Sequence, residues 1–279
     1  MLLSLRKNTI AFCVLAATAC LPLSAQAHRT WLLPSATQVE VKEPWVTLDA
    51  AVSENLFDFD TNPVKLEGLS IIGPDGAPFS AENLFTGRLR SSFDLKLSKP
   101  GTYKASIVME GVFANYKQGG ENKRWRGSNE AFAKEVPADA EDLRVTRTHN
   151  RLQTFLSSDK PNELALKPSG VGLEVEPITH PNELAVGSKA SFRLLLDGKP
   201  VPNLGVSAVP GGVRYRGVLK EMFTKTDEKG VFSMTWPEAG MYWISANYPA
   251  KGAGMATANP PSKNERRFAY ALTLEVLPH

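Results

Sequence analysis

The sequence predicts an all-β fold, and three observations support this prediction. Short runs of β-branched or alternating apolar residues recur at intervals of about 8–12 residues along the chain. Turn residues separate these runs, for example at residues 73–76, 99–101 and 228–230. The chain also has 20 prolines and 21 glycines, which interrupt regular backbone often and disfavour long helices.

The predicted strands follow from these runs in chain order. In the first half, alternation or β-branching predicts strands at residues 46–48, 68–72, 92–97 and 103–109. In the second half it predicts strands at residues 172–178, 190–196, 204–209, 231–236, 241–248 and 269–277. Two segments break this rhythm. Polar residues 117–142 are predicted as a long loop containing one helical turn, and residues 250–265 as a hairpin loop.

A weak internal repeat divides the predicted strands into two units. Residues 100–103 (PGTY) match residues 239–242 (AGMY). A glycine two residues before a tyrosine, at the start of a late strand, is typical of immunoglobulin-like modules. The sequence therefore predicts two tandem immunoglobulin-like β-sandwich domains, residues 28–170 and residues 171–279.

The first 27 residues have the layout of a secretory signal peptide. Two basic residues near the start precede an apolar stretch, and the small residues Ala25 and Ala27 form a cleavage site. Cleavage after Ala27 makes His28 the first residue of the mature protein. The leader predicts export to a bacterial periplasm or the cell exterior.

Composition excludes several classes of function. The net charge is +3, and Arg6 and Lys7 of the leader supply two of these charges, so little excess remains to neutralise nucleic-acid phosphates. The two cysteines, Cys13 and Cys20, also lie in the leader, which leaves no disulfide or thiolate site in the mature chain. An alternative, lipid attachment at Cys20, lacks the large aliphatic residue that normally precedes such a cysteine.

No apolar stretch after the leader approaches 18 residues, so no membrane span is predicted in the mature chain. The motifs of serine hydrolases, zinc proteases, phosphate-binding loops and dinucleotide-binding folds are missing from the sequence. The sequence therefore predicts a binding protein rather than an enzyme.

An N-terminal histidine is a strong metal ligand, because its α-amine and Nδ1 close a six-membered chelate on one ion. The α-amine has a reference pKa of about 7.7–8.0, so a metal can displace its proton near neutral pH. One further imidazole would complete a three-nitrogen set suited to copper, and less selectively to nickel, cobalt or zinc. His28 is therefore the predicted anchor of a metal site, unless its place at the cleavage site is accidental.

His149 and His180 are the candidate partners of His28 in this metal site. His149 lies in a polar stretch, and His180 precedes Pro181 in a turn after a predicted strand. A lone histidine is also commonly a packed or solvated side chain. The fourth histidine, His279, is predicted to belong to a frayed end.

Two further groups of charged residues suggest other ligands. Asp58 and Asp60 share one face if their segment is extended, which suggests a hard-cation site or a strand end with an apolar underside. Basic residues lie beside aromatic residues at 123–126 and 214–216, with a further basic pair at 266–267. They suggest a site for an anionic chelate or an acidic partner, or simply solvated loop faces.

Six stretches of the chain resemble a known family. They are residues 27–34 (AHRTWLLP), 172–177 (GLEVEP), 181–184 (PNEL), 194–200 (LLLDGKP), 226–230 (TDEKG) and 236–243 (WPEAGMYW). Together they resemble the domain-of-unknown-function family numbered 4198, which is grouped with periplasmic components of cobalt and nickel uptake systems. The resemblance implies a secreted β-sandwich protein that handles metal. The chain departs from nickel-uptake proteins in having only four histidines.

Three hypotheses of function follow. The first is a periplasmic protein that binds a transition metal ion or metal chelate and assists its uptake or homeostasis, with an inner-membrane transporter or outer-membrane receptor as partner. The second is a non-catalytic immunoglobulin-like interaction module that docks such a transporter or receptor. The third is a carbohydrate-binding protein that uses Trp31, Trp45 or Trp125 as an aromatic platform.

Overall fold

The computed structural model describes residues 28–41, 44–250 and 263–278. The predicted leader, His279 and most of the predicted hairpin loop at 250–265 lie outside the described residues. The described chain is dominated by β-strands, which confirms the all-β prediction. None of the helices in this part of the chain is long and apolar enough to cross a membrane.

The strands of the first half are β1 (Arg29–Pro34), β2 (Gln38–Val39), β3 (Trp45–Ser53), β4 (Asn62–Pro63), β5 (Leu69–Ile72), β6 (Pro78–Phe79), β7 (Glu82–Thr86), β8 (Ser91–Lys96), β9 (Gly101–Gln118), β10 (Glu121–Gly127) and β11 (Glu141–Ser158). Helix α1 (Asn129–Glu135) lies between β10 and β11, and a 3₁₀ turn (Leu164–Leu166) follows β11.

The strands of the second half are β12 (Leu173–Pro177), β13 (Lys189–Leu196), β14 (Lys199–Pro200), β15 (Gly205–Pro210), β16 (Met222–Lys225), β17 (Val231–Thr235), β18 (Gly240–Tyr248) and β19 (Asn264–Val276). The short helix α2 (Val213–Arg216) lies between β15 and β16.

These strands form three sheets. A ten-stranded central sheet has the order β16-β15-β18-β19-β11-β9-β5-β6, with β10 paired to β9 and β2 paired to β11. The N-terminal sheet has the order β1-β3-β8-β7, with β4 paired to β3. The C-terminal sheet has the order β12-β13-β14, with β17 paired to β13.

The central sheet joins the two halves of the chain. β11 of the first half pairs in parallel with β19 of the second half, from Val145 opposite Asn264 to Thr154 opposite Thr273. The two β-sandwich units predicted from the sequence therefore contribute strands to one shared sheet.

The two cores lie on opposite faces of the central sheet. Leu152 and Leu156 of β11 pack into a core with the N-terminal sheet, whereas Phe155 packs into a core with the C-terminal sheet. Successive side chains of a strand point to opposite faces, which explains this division. We call the face that bears Leu152 the front face and the face that bears Phe155 the back face.

The internal repeat corresponds to the same tyrosine hydrogen bond at two positions in the fold. The hydroxyl of Tyr103 donates to the carbonyl oxygen of Lys99 at 2.9 Å. The hydroxyl of Tyr242 donates to the carbonyl oxygen of Glu238, also at 2.9 Å. Each tyrosine thus bonds to the backbone four residues upstream, the arrangement known from immunoglobulin-like domains as a tyrosine corner.

The structure differs from the prediction of a long loop over residues 117–142. β9 continues to Gln118, Gly119 and Gly120 turn the chain with φ of 60° and 79°, and β10 and α1 follow. The strands here carry mostly polar side chains, so the apolar alternation that identifies a strand is missing from the sequence. We call residues 111–148 the arm.

Candidate functional site

His28 lies at the rim of a cleft on the front face. The cleft has a volume of about 150 Å³ and is lined, among others, by His28, Thr30, Met109, Asn150, Ser245 and Asn247. β1 begins directly after His28 and pairs with β3, so the N-terminal sheet places His28 on the front face of the central sheet. The indole Nε1 of Trp243 donates to the carbonyl oxygen of Thr30 at 3.0 Å and holds the start of β1 in this position.

Strand register explains why these polar side chains share one cleft. Asn150 of β11 lies opposite Met109 of β9 and also opposite Ala269 of β19. Ala269 in turn lies opposite Asn247 of β18. Met109, Asn150, Ala269 and Asn247 therefore form one row across four adjacent strands, and a row of this kind presents its side chains to the same face.

The imidazole of His28 is open to solvent and to the cleft. Its side chain is 54% exposed, and Nε2 lies 3.9 Å from Oε1 of Glu54. Neither ring nitrogen of His28 makes a hydrogen bond to any residue that the structure describes. The ring can therefore bind a ligand without breaking an internal contact.

Both ring nitrogens of His180, in contrast, lie within hydrogen-bond distance of other residues of the protein. Its Nδ1 accepts a hydrogen bond from the backbone N–H of Asn182 at 3.2 Å. Nε2 is therefore the protonated nitrogen, and it lies 3.2 Å from the carbonyl oxygen of Asn162 and 3.1 Å from Oγ1 of Thr102. His180 thus ties the turn between β12 and β13 to the start of β9. Metal binding by His180 would break these hydrogen bonds.

His149 is buried on the back face. Its ring lies against Gly172, where a Cβ atom would come within 2.3 Å of the ring. Burial, reinforced by the nearby Arg151 cation, lowers the pKa of His149 below its ordinary value. The ring is therefore neutral at neutral pH, and Nδ1 is buried with no hydrogen-bond partner among the described residues.

The structure does not bring the three predicted ligands together. His149 of β11 lies opposite Glu110 of β9. Ser157 of β11, which belongs to the hydrogen-bond network of His180, lies opposite Thr102 of β9. Eight residues of strand separate these positions, which is about 26 Å at 3.3 Å per residue. His28 and His149 lie on opposite faces of the central sheet. Within residues 28–41, 44–250 and 263–278, no three His, Cys, Asp or Glu side chains are placed to hold a metal ion together.

The aspartates predicted as a hard-cation site have internal partners. Desolvation raises the pKa of Asp60, but hydrogen bonds from Thr61 and from the backbone N–H groups of Glu54 and Asn55 outweigh it and lower the pKa overall. Asp58 lies 3.6 Å from the guanidinium of Arg214. Asp60 therefore closes a turn, and Asp58 forms an ion pair.

The three tryptophans do not form a common platform. Trp31 is fully buried, and its Nε1 donates to Oγ of Ser53 at 2.8 Å. Trp125 packs against Phe132 of α1, on the arm. Trp45 is 47% exposed, on β3 of the N-terminal sheet. A sugar-binding face built from several of these rings is therefore not found among the described residues.

The residues that sequence reasoning missed are Met109, Asn150 and Asn247. Asn150 and Asn247 are polar residues inside strands, which is the only signal that the sequence offers for them. Alternation shows that such residues leave the apolar face, but it does not show which strands are neighbours. Recognition of the cleft therefore depends on the register of four neighbouring strands.

Comparison with curated proteins finds no match. Among solved structures, the D0-D1 domain of intimin is 13% identical over 89% of this chain and 99% of its own, with a TM-score of 0.21. A tetra-tandem repeat in the extending region of a large adhesion protein is 13% identical over 91% of this chain and 76% of its own, with a TM-score of 0.23. TM-scores this low carry no argument about function.

The family comparison is more specific. The model of the family described as "Domain of unknown function (DUF4198)" matches residues 25–250, which include His28 and β1. This match confirms the resemblance drawn from the sequence, whereas the association with cobalt and nickel uptake stays a prediction. The chain belongs to the domain-of-unknown-function family DUF4198.

Proposed function

We propose that this protein binds a transition metal ion, or a small chelate of one, at the His28 cleft and assists metal uptake or homeostasis in the bacterial periplasm. One observation carries the proposal. Of the three histidines that the structure describes, only His28 has an exposed imidazole without an internal hydrogen bond, and it lines a cleft.

The chemistry of the cleft supports metal binding after cleavage behind Ala27. Cleavage would free the α-amine of His28, which then chelates an ion together with Nδ1. Met109 adds a thioether to the same cleft, and Asn150 and Asn247 add amide oxygens. Nitrogen donors favour copper, nickel, cobalt and zinc, and the thioether favours copper within this group.

The proposed role is binding without turnover. The cleft holds a metal anchor and amide groups, but no carboxylate and no second imidazole are among its lining residues. Delivery to an inner-membrane transporter or an outer-membrane receptor would complete the role.

The test is calorimetric titration of Cu(II), Ni(II), Co(II) and Zn(II) into protein purified after export, with His28 confirmed as residue one by intact mass. We expect one ion per chain at micromolar affinity or tighter. His28→Ala, or one alanine inserted before His28, should weaken binding by about 100-fold, because each change removes the two-nitrogen chelate. Glu54→Gln is the matched control, since it alters the nearest charged neighbour and keeps both nitrogens.

Unchanged affinity in both His28 variants would overturn the proposal. Absence of binding by all four metals would instead favour the interaction module.

One observation supports the interaction module as a second candidate function. β7 is the edge strand of the N-terminal sheet, and its apolar residues Leu84 and Phe85 are 55% and 64% exposed.

A further inference from the structure

We propose that the front face of the arm is a second binding site, for a small organic anion that carries two or three carboxylates. Arg124, Arg126 and Arg144, with Phe113 and Asn115 between them, form this site, which we call the arginine face. It is separate from the His28 cleft and does not depend on metal binding.

Register places these residues side by side. Arg124 of β10 lies opposite Asn115 of β9, which lies opposite Arg144 of β11. Neighbouring strands are about 4.8 Å apart, so the Cα atoms of Arg124 and Arg144 flank Asn115 at a separation of roughly 10 Å. In the next row, Arg126 lies opposite Phe113, and its guanidinium lies 5.1 Å from the ring centroid.

The arginine face is open because helix α1 covers the opposite side of the arm. Phe132 of α1 packs on Trp125 and lies under the guanidinium of Arg147, and both of these residues point to the back face. On the front face, Phe113 is 38% exposed and Asn115 and the three arginines are exposed. The N-terminal sheet, which covers the front face elsewhere, forms no strand pairing with the arm.

The carboxylates that lie beside the arginine face are paired with lysines. Lys117 pairs with Asp142 at 2.7 Å and with Glu141 at 3.6 Å. Lys123 pairs with Glu121 at 2.6 Å, and Arg267 of the neighbouring strand pairs with Glu265. Arg124, Arg126 and Arg144 form no salt bridge with any carboxylate in the described part of the chain. Asp142 is thus paired with Lys117, and the Arg144 cation adds a weaker effect that also lowers the pKa of Asp142.

A cleft lies where the arginine face meets the end of the arm. Its volume is about 340 Å³, and its lining includes Asn115, Asn122, Arg124 and Arg144, with Asp142 as the only carboxylate. The register between β9 and β11 shifts between Glu141 and Arg144, and Asp142 has a φ of 55°. Irregularities of this kind bend a strand and redirect the side chains that follow.

The chemistry of the site selects its ligand. A guanidinium forms two parallel hydrogen bonds to one carboxylate, so two arginines roughly 10 Å apart at Cα match a molecule with two or three carboxylates on a short carbon chain. The amides of Asn115 and Asn122 can donate to a hydroxyl or to a further carboxylate oxygen. Because the arginines are exposed, salt should weaken the interaction.

The test uses the exported full-length protein and metal-free citrate, with binding measured by calorimetry. We expect saturable binding at submillimolar affinity, weakened at high sodium chloride concentration. Arg144→Ala and Arg124→Ala should each weaken citrate binding by about tenfold, which is the loss of one charge-assisted contact. The matched control is Lys134→Ala, which also removes one positive charge from the arm but from helix α1 on the opposite side.

Three outcomes would overturn the proposal. They are no binding of citrate by the unaltered protein, an equal loss in the Lys134→Ala variant, and inorganic phosphate that binds as tightly as citrate. His28→Ala should leave citrate binding unchanged, so this site and the metal site can fail independently. Unchanged circular dichroism of the variants would show that the fold is intact.

Discussion

Arg151 and Glu174 form a buried ion pair, with side chains only 7% and 3% exposed and 3.4 Å between Nη1 and Oε1. Removing two charges from water is costly, and hydrogen bonds to most of the remaining polar atoms offset this cost, although Nε of Arg151 has no partner among the described residues. Oε1 of Glu174 accepts from the backbone and hydroxyl of Ser169, and Oε2 accepts from the N–H of Gly170. Arg151 also donates to the carbonyl oxygen of Val171. The pair therefore fastens β11 to β12 and to the loop between them.

Glu174→Gln should destabilise the protein by about 3–5 kcal/mol, because it leaves Arg151 buried without a counter-charge. Urea unfolding followed by tryptophan fluorescence gives this free energy. Glu176→Gln is the control, since Glu176 pairs with Arg193 at a partly exposed site. A pair of that kind contributes about 0–1 kcal/mol. Equal losses in the two variants would show that burial does not set the strength of the Arg151–Glu174 pair.

At the scale of elements, the two tyrosine corners perform the same task in two different cores. Tyr103 belongs to the core under the N-terminal sheet, and Tyr242 to the core under the C-terminal sheet. Each hydroxyl is bonded to a carbonyl oxygen that precedes its own strand. The corners therefore fix where β9 and β18 begin.

Tyr103→Phe and Tyr242→Phe should each cost about 0.5–1.5 kcal/mol of unfolding free energy, the usual contribution of one hydrogen bond. The double variant should lose the sum, because the two sites share no partner. Chemical denaturation of the two single variants and the double variant measures this. A double variant that loses clearly more than the sum would mean that the corners are energetically coupled through the central sheet.

The sequence was sufficient for element type wherever one face of a strand is apolar. The segments around Phe93, Tyr103 and Phe192 alternate clearly, and their prediction as strands is confirmed. The arm was missed because charged residues such as Lys123 and Arg124 occupy both of its faces. For the candidate site, the metal-binding role of His28 stays a prediction, and the companions of His28 in the cleft depend on strand order, which leaves no local trace in the sequence.

At the scale of the whole molecule, the central sheet makes the two halves interdependent. β11 and β19 are covered on both faces by separate cores, and they are hydrogen-bonded to each other. Tandem domains that are joined only by a linker unfold independently, whereas units that share a sheet lose their pairing together.

Differential scanning calorimetry should therefore show a single cooperative transition. Leu272→Ala, in the core under the C-terminal sheet, should destabilise the protein by about 2–5 kcal/mol and shift that one transition as a whole. Trp31, which lies in the first half, should report the same midpoint as calorimetry when its fluorescence is followed. Two resolved transitions would contradict this expectation, and so would a fluorescence midpoint at Trp31 that Leu272→Ala does not change.

β19 also has a consequence for the order in which the molecule is completed. It lies between β18 and β11, yet it is the last of the described strands along the chain, and Thr154 bonds to a residue 119 positions later. During synthesis, β11 appears long before this neighbour and keeps one edge open, so the sheet cannot close until the final strand arrives. A chain led by the predicted signal peptide would thus remain threadable through a translocation channel until its last strand is released on the far side.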